Sequence, residues 1–535
     1  MRRKHIAPIL AAALTGLVAL SGCQGGSQGD SGGRSHSFII GAGEVDGLDP
    51  VQTKTMTAQM VVANLYANLI EQKMVPVADG YLDGTEEYVN SIVKSYETSA
   101  DGKVLTFTLA DGLTFADGSP LTADDVVYTM KRTLSDASYV SGSSTVFMHI
   151  SDAEKQIVAV DPATVRVTLD SPAPALNAFL ALSTFGILNA EKGTANAGAN
   201  GAATEFFVKN ATPSGPFTLE SWNAGESVKL AKNPKYVHAG DVYPEQLTIL
   251  NMADEDQRYL ALKNGDIDVA LDLSPRLVKE ASSEPALTVH SMPSNTLYYL
   301  GMNAKVAPFD NKLVRQAVAA AVPYELLMQE VLLGQASPAY GVVPHNMATS
   351  TAPSETATQY QTDPQRAKQL LAQAGVSNLT VDLSISSADP ISVDSAVHIQ
   401  SALAQAGIKV QIKQLADADF ETKSKAQELG FFVANWASWV QDPFFQMRAL
   451  LLTDRATNRT GFANAEFDKL VLDGIAEGDK ARRDELSAQA QRIVVDEASF
   501  VGLFTKNLTV VTRSDVDGIT LADDQLLRLK YLSRK

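Results

Sequence analysis

The sequence predicts an α/β protein built as two bodies with a cleft between them. Three observations carry that expectation. From Asn303 onward, helix–glycine–strand units recur, the pattern of a partly parallel sheet flanked by helices. Ahead of them, Ala211–Tyr236 is rich in turns and alternating strands. The chain also has 535 residues, 45% of them apolar, which is more than one domain of ordinary size. Clefts at such junctions are favoured ligand sites.

Taken in order, the chain opens with Met1-Arg2-Arg3-Lys4-His5, an apolar run from Ile6 to Leu20, and Leu20-Ser21-Gly22-Cys23. A basic start, an apolar stretch too short for a comfortable membrane span, and small residues at a cut site read as a secretory signal over residues 1–22. Cys23 is the only cysteine. Leu-Ser-Gly-Cys resembles the lipobox of bacterial lipoproteins, in which that cysteine carries the lipid. Residues 23–37 are rich in glycine and serine and read as a flexible leash. The body begins with a strand at Phe38–Ile40. A helix is expected over Thr57–Glu71, with Met60, Val61, Leu65 and Leu69 at helical spacing. A hairpin is expected next, with Val104–Leu109 turning at Asp111-Gly112 and returning through Leu113–Phe115. Thr122 is placed to cap a helix to about Leu134, with Asp124 and Asp125 in its first turn.

Strands follow around Phe217–Leu219 and Val228–Leu230. Asn311–Ala321 reads as a helix, and Pro323 opens the next. Asp363-Pro364 starts a helix that Gly375 ends, and Leu379–Ile385 is a strand. Ser392–Ala406 is a second helix, ended by Gly407 before the strand Ile408–Ile412. A long helix over Asp479–Asp496 and strands at Val501–Phe504 and Leu508–Val511 complete the body.

Composition excludes several functions. The net charge is −17, and loss of the signal removes three cations more, which argues against a nucleic-acid partner. With Cys23 lipidated no thiol remains for disulfides, thiolate catalysis or a cysteine zinc site. The seven histidines form no ligand-spaced pair. No hydrolase elbow, metalloprotease, phosphate-loop or dinucleotide motif is present. The expectation is a protein without cofactor or metal that is not an enzyme. No second apolar run is fit to span a membrane.

Asp101–Arg132 (DGKVLTFTLADGLTFADGSPLTADDVVYTMKR) closely resembles the signature of the family 5 extracytoplasmic solute-binding proteins, the peptide, nickel and oligosaccharide receptors of ABC importers. Leu48-Asp49-Pro50, Ser214-Gly215-Pro216-Phe217 through Asn233-Pro234-Lys235-Tyr236, and Gly265-Asp266-Ile267-Asp268 are similar to further motifs of that family. So are Asn303 with Ala307-Pro308-Phe309 and Val314-Arg315-Gln316-Ala317, Asp363-Pro364 with Ala374-Gly375, and Asn464–Asp468. The matches run in order from Leu48 towards the C-terminus. The resemblance implies a two-lobed receptor of the periplasmic-binding-protein type, class II-like, with mixed sheets, a discontinuous lobe I and an extra inserted subdomain. The expected borders are 38–75, 205–292 and 500–535 for lobe I, 76–204 for the subdomain and 293–499 for lobe II. The ligand would lie in the interlobe cleft, and closure would move a few residues at the crossings.

Peptide-binding members of that family treat the ligand as an added strand. They grip its ammonium with an aspartate in a segment resembling Trp-x-x-Asp-x-x-Asp-Pro. Here the segment is Asn435-Trp436-Ala437-Ser438-Trp439-Val440-Gln441-Asp442-Pro443, so Trp439 stands at the ammonium position. A desolvated ammonium without a carboxylate costs several kcal/mol. Trp439 could offer a cation–π face worth roughly 0.5–2 kcal/mol, or stack on a sugar ring. Asp417 and Asp419 are other carboxylates that could supply the charge. The candidate ligand residues are Trp436, Trp439, Asn435, Ala437, Tyr298 and Met56. Each has a plainer alternative: core packing for the tryptophans, strand packing for Tyr298, and an apolar contact at a helix start for Met56. Trp222 and Asp442 read as structural.

The expected function is capture of oligopeptides for delivery to ABC permease subunits, by a monomer held outside the cytoplasm through its N-terminal lipid. The alternatives are the same fold with an oligosaccharide or another amine-free solute, and a lipid-anchored extracellular hydrolase.

Overall fold

The computed structural model describes residues 36–78, 80–198, 201–339, 341–344, 347 and 360–535, all within one compact unit, His36–Lys535. The signal over residues 1–22 and Cys23 lie outside the described residues, as does the leash up to residue 35. Among the described residues no helix is long and apolar enough to cross a membrane.

An 11-stranded mixed sheet organises the molecule. From one edge its strands run Ile408–Leu415, Leu379–Ser386, Phe431–Ala437, Leu287–Met302 and Phe500–Arg513. They continue through Val269–Leu271, Ser37–Ala42, Gln246–Asn251, Ser227–Lys232 and Phe217–Asn223. The short strand Ala336–Pro338 adds to Phe500–Arg513. The expected α/β end is there: Leu379–Ser386 and Ile408–Leu415 pair in parallel across helix Pro390–Gln405. Gly375 and Gly407 end their helices at φ of 71° and 87°, backbone that other residues adopt only under strain. A separate four-stranded sheet orders Val93–Thr98, Val104–Leu109, Thr164–Thr168 and Ile157–Asp161.

Local chemistry explains the starts of the helices. Thr122 donates its N–H to Asp125 (2.8 Å), closing a capping box on helix Ala123–Thr133. Asp363, Asp389 and Asp442 each precede a proline at the first helical position and accept backbone N–H groups of the first turn. Helix Pro390–Gln405 therefore begins two residues before the expected Ser392. Pro323 sits just ahead of helix Tyr324–Leu326, not inside its first turn.

Three expectations are corrected. Helix Met56–Leu65 stops short of Glu71. Ser214 and Gly215 donate backbone N–H groups to the Leu65 carbonyl (3.2 and 2.9 Å). A side chain on Gly215 would meet the Tyr66 backbone carbon at 2.7 Å, so only glycine allows this stop. The chain turns extended and resumes as strand Ile70–Pro76. The return arm of the hairpin is absent. Leu113–Phe115 makes only an isolated bridge, Thr114 to Pro120, while Val104–Leu109 pairs with Val93–Thr98 and Thr164–Thr168. Those longer partners bury Leu105, Phe107 and Leu109 together, which a three-residue arm cannot. Finally, Val501–Phe504 and Leu508–Val511 belong to one strand, Phe500–Arg513.

Buried ion pairs hold the motifs. Asp49 grips Arg132 through two bonds (2.7 and 2.5 Å), joining the first loop to helix Ala123–Thr133. Arg315 bonds Glu497 at 2.9 Å and the Phe309 carbonyl at 2.8 Å. The end of the chain is fastened by Glu71, which accepts from Lys530 (2.5 Å), Ser91 (2.7 Å) and Tyr236 (2.9 Å). Burial alone would raise the Glu71 pKa, but the Lys530 ammonium and these hydrogen bonds hold it down at about 2.

A folded pKa below the unfolded value of 4.5 stabilises above that value and is lost as pH falls toward 2. The pairing is worth about 3 kcal/mol at neutral pH. Urea unfolding of wild type and Glu71→Gln should therefore differ most at pH 6–7, draw together below about pH 4.5 and converge only near pH 2. A gap that stays constant with pH would show that Glu71 is not the titrating clamp.

Candidate ligand-binding site

The site is organised by two strands that run the depth of the sheet. Leu287–Met302 and Phe500–Arg513 pair in two blocks, 287–292 against 508–513 and 296–301 against 500–506. Between them the register shifts, leaving Pro293, Ser294 and Asn295 out of the ladder. Asn295 is buried and tied on every side. Its N–H donates to Gln525 (3.1 Å), and its amide donates to the carbonyls of Asp523 (3.1 Å) and Ser438 (3.4 Å). Gln525, held at a φ of 62°, also donates to the Ser438 carbonyl (3.4 Å). The bulge thus meets the C-terminal segment and the loop that carries Trp439.

Strand Phe431–Ala437 lies beside the lower block. Tyr298 is the register partner of Asn435, and Leu297 that of Trp436. Strand alternation puts Tyr298 and Asn435 on one face and Trp436 on the other. On the first face both side chains donate to Asp389, each at 3.3 Å. Asp389 also accepts from Ser392 (2.6 Å) and the Ile391 N–H (3.2 Å), so its half-buried carboxylate is fixed at a helix N-terminus. Burial, then the Asp389 charge, raises the Tyr298 pKa, which keeps the hydroxyl a neutral donor. Phe504 stacks on the Tyr298 ring at 5.1 Å.

The other edge of Phe431–Ala437 is nearly bare. Leu379–Ser386 meets it at one register pair, Ser384 opposite Phe432. Among the described residues no strand pairs with Asn435–Ala437 on that side. Such an edge offers main-chain donors and acceptors to an incoming extended chain. Beside it, the Trp436 indole N–H is buried without an acceptor.

Trp439 is half-buried in a row of aromatic rings. It stands edge-to-face on Tyr139 (5.5 Å, 83°) and 5.7 Å from Phe445. Phe445 in turn packs against Phe147 and Phe179 at 5.6 and 6.1 Å. Burial, together with the Asp46 and Asp524 carboxylates, pushes the Tyr139 pKa up to about 12. Gln59 donates to the Tyr139 hydroxyl at 3.3 Å. Met56, three residues before Gln59 and 44% exposed, lines a small recess of about 40 Å³ with Met60, Leu271, Leu508, Val510 and Leu526.

The six predicted residues therefore fall in four places: Asn435, Ala437 and Tyr298 on one face of the paired strands, Trp436 on the reverse face, Trp439 in the aromatic row, and Met56 at the recess. Asp417 accepts from Ser386 at 2.8 Å. Asp442 bonds Arg483 (2.7 Å) and caps helix Pro443–Leu451, a structural role. Sequence reasoning missed Asp389, Tyr139, Asn295 and Gln525. Only Asp389 carried a local signal, the Asp-Pro helix start it shares with Asp363. No group of three or more metal-ligating side chains occurs among the described residues.

Comparison with known proteins gives these features a setting. The profile of the bacterial extracellular solute-binding proteins, family 5, matches residues 87–458, well over half of the chain. The probable D,D-dipeptide-binding periplasmic protein DdpA of Escherichia coli is 29% identical over 503 residues, covering 93% of this chain and 94% of that protein. A dipeptide-binding protein from Pseudoalteromonas sp. SM9913, solved in complex with Met-Leu, superposes with a TM-score of 0.78 at 25% identity, covering 93% of this chain and all of the other. The ABC transporter substrate-binding protein CtaP of Listeria monocytogenes superposes with a TM-score of 0.81 at 23% identity, covering 94% of this chain and 99% of the other. The fold is the mixed α/β, two-lobed substrate-binding type.

Because Trp439 packs on Tyr139, its removal should cost stability as well as ligand contact. A double-mutant cycle with Trp439→Ala and Tyr139→Ala, read by urea unfolding of the unliganded protein, should give a coupling of about 0.5–1.5 kcal/mol. Strict additivity would place the two rings apart in solution.

Proposed function

The chain belongs to the bacterial extracellular solute-binding proteins of family 5, and from that membership we propose that it captures short peptides and hands them to the permease of an ABC importer. The observation that carries the peptide is the open strand edge at Asn435–Ala437. An extended peptide laid there continues the sheet through main-chain bonds that any sequence can make. Tyr298, Asn435 and Asp389 hold one wall beside it, and Trp436 offers its indole N–H. Trp439 and Met56 border the space with aromatic and flexible apolar surface. The named ligands of relatives point the same way, D,D-dipeptides for DdpA and Met-Leu for the Pseudoalteromonas protein.

In this reading lobe I comprises 38–75, 205–292 and 500–535, the inserted subdomain 76–204, and lobe II 293–499. Closure turns about the bulge at Pro293–Asn295 and the facing stretch of Phe500–Arg513. Cys23 carries the lipid that keeps the receptor at the membrane beside its permease. The named relatives are binding proteins, not enzymes, and the site is assigned binding without bond chemistry.

A ligand that binds only the native state stabilises it, by about 2.7 kcal/mol at a hundred times its Kd. Thermal unfolding with panels of two- to six-residue peptides and of oligosaccharides should show a rise of several degrees with peptides only. A rise with sugars alone would overturn the assignment. Cys23→Ser should move the protein from the membrane to the soluble fraction while leaving peptide-induced stabilisation intact. Retention at the membrane would contradict the lipid anchor.

A further inference from the structure

The inserted subdomain meets its two neighbours in different ways. To lobe I, within the borders proposed above, it is stitched through the main chain. Leu82 and Asp83 pair in parallel with Thr520 and Leu521. The Ile187 N–H donates to the Ala67 carbonyl (2.8 Å), and the Asn68 amide donates to the carbonyls of Leu180 and Leu182 (2.9 and 2.7 Å). Asp49 adds its buried pair with Arg132. To lobe II the contact is made by side chains. Among the described residues no strand within 76–204 pairs with a strand within 293–499.

The centre of that second contact is Phe445, on helix Pro443–Leu451. Its buried ring lies 5.6 Å from Phe147 and 6.1 Å from Phe179, which stack on each other at 5.6 Å and 17°. Phe147 ends helix Ser141–Phe147 and Phe179 lies on helix Leu176–Leu180, so both rings that receive Phe445 belong to the subdomain. Trp439 on Tyr139 extends the seam. The polar rim adds little. Lys480 reaches Glu86 at 3.7 Å with both side chains exposed, and such pairs are worth little in water. A groove of about 340 Å³ opens between Gly478 on one side and Tyr96, Pro172, Pro174 and Leu176 on the other.

Arg448, one turn beyond Phe445, works against the seam. It is buried, its Nη2 donates to the Gly142 carbonyl at a long 3.3 Å, and its Cζ lies 5.9 Å over the Phe147 ring. Burial first, and then the neighbouring Arg455 charge, lower its pKa to about 10. Taking a guanidinium out of water without a carboxylate partner is costly. Parting helix Pro443–Leu451 from helix Ser141–Phe147 would return it to water.

We propose that the inserted subdomain is a clasp: Phe445 of lobe II seats against Phe147 and Phe179 and holds the lobes shut without a bound ligand, while the cost of burying Arg448 keeps the seat releasable. The subdomain travels with lobe I, to which its main chain is tied. Release at Phe445 therefore lets lobe II turn about the bulge at Pro293–Asn295. The clasp relies on the proposed lobe borders and not on what the cleft binds.

The test measures the distance between spin labels at two exposed positions, Val160→Cys on the subdomain and Leu472→Cys on lobe II. The background is Cys23→Ser, which leaves no other cysteine. Pulsed dipolar spectroscopy separates closed from open molecules by distance. With the native seam and no peptide, the closed distance should dominate over an open minority. Phe445→Ala removes two ring contacts and should raise the open-to-closed ratio roughly ten-fold or more. Arg448→Met takes the charge out of the seam and should lower the ratio. One distance shared by the native seam and Phe445→Ala, with the variant only less stable to heat, would make the seam permanent core and overturn the clasp. A native seam already as open as the variant overturns it too, as does a ratio that rises in Arg448→Met. If Phe445→Ala does not fold, Phe445→Leu carries the same comparison with a smaller rise. No peptide enters the measurement, so failure of the clasp leaves the peptide reading standing.

Discussion

Everything in this molecule depends on the pairing of Leu287–Met302 with Phe500–Arg513. Those two strands make one sheet of what would otherwise be two. A continuous ladder is stiff along most of its length, because each residue is fixed by main-chain bonds to its neighbour. The register shift at Pro293–Asn295 is the one break in that ladder within the long pair, apart from the smaller slip at Tyr298–Tyr299. Asn295 and Gln525 then spend their polar groups on the break, tying it to Ser438 and so to the Trp439 loop. A few named hydrogen bonds therefore connect the Trp439 loop to the crossing.

Much of the fold was legible because its signals are local. Asp363 before Pro364 starts a helix and glycine past the last turn ends two, as read, while the same signal at Asp389-Pro390 and Asp442-Pro443 starts two more helices that the reading did not use. These are decided within a few residues by capping geometry, so no distant partner can overrule them. The errors have the opposite character. Helix Met56–Leu65 is cut by Ser214 and Gly215, far along the chain, and nothing between Thr57 and Glu71 announces it. Val104–Leu109 takes a partner at Thr164–Thr168 in preference to its own neighbour. Alternation told that the strand had a buried face but not what would cover it.

The site divides along the same line. Trp436 and Trp439 were picked out by a motif, and Asn435 came with them. Their real surroundings, Asp389, Tyr139 and Phe445, are contacts made by folding. Four residues of the motifs, Asp49, Arg132, Arg315 and Asp442, are spent on buried ion pairs. Such pairs are costly to break from one side, so they preserve the frame and say little about cargo. Near the open edge of this chain stand a saturated carboxylate at Asp389 and, on the following loop, the aromatic row at Trp439.

The central claim is that a peptide becomes an added strand along Asn435–Ala437. Backbone hydrogen exchange measures this directly, since a new strand partner slows exchange at the amides it engages. With a stabilising peptide bound, the account predicts slowed exchange at Asn435–Ala437, and at Ser294, Asn295 and Gln525 as the crossing tightens. Stabilisation by peptide with unchanged exchange at Asn435–Ala437 would contradict it.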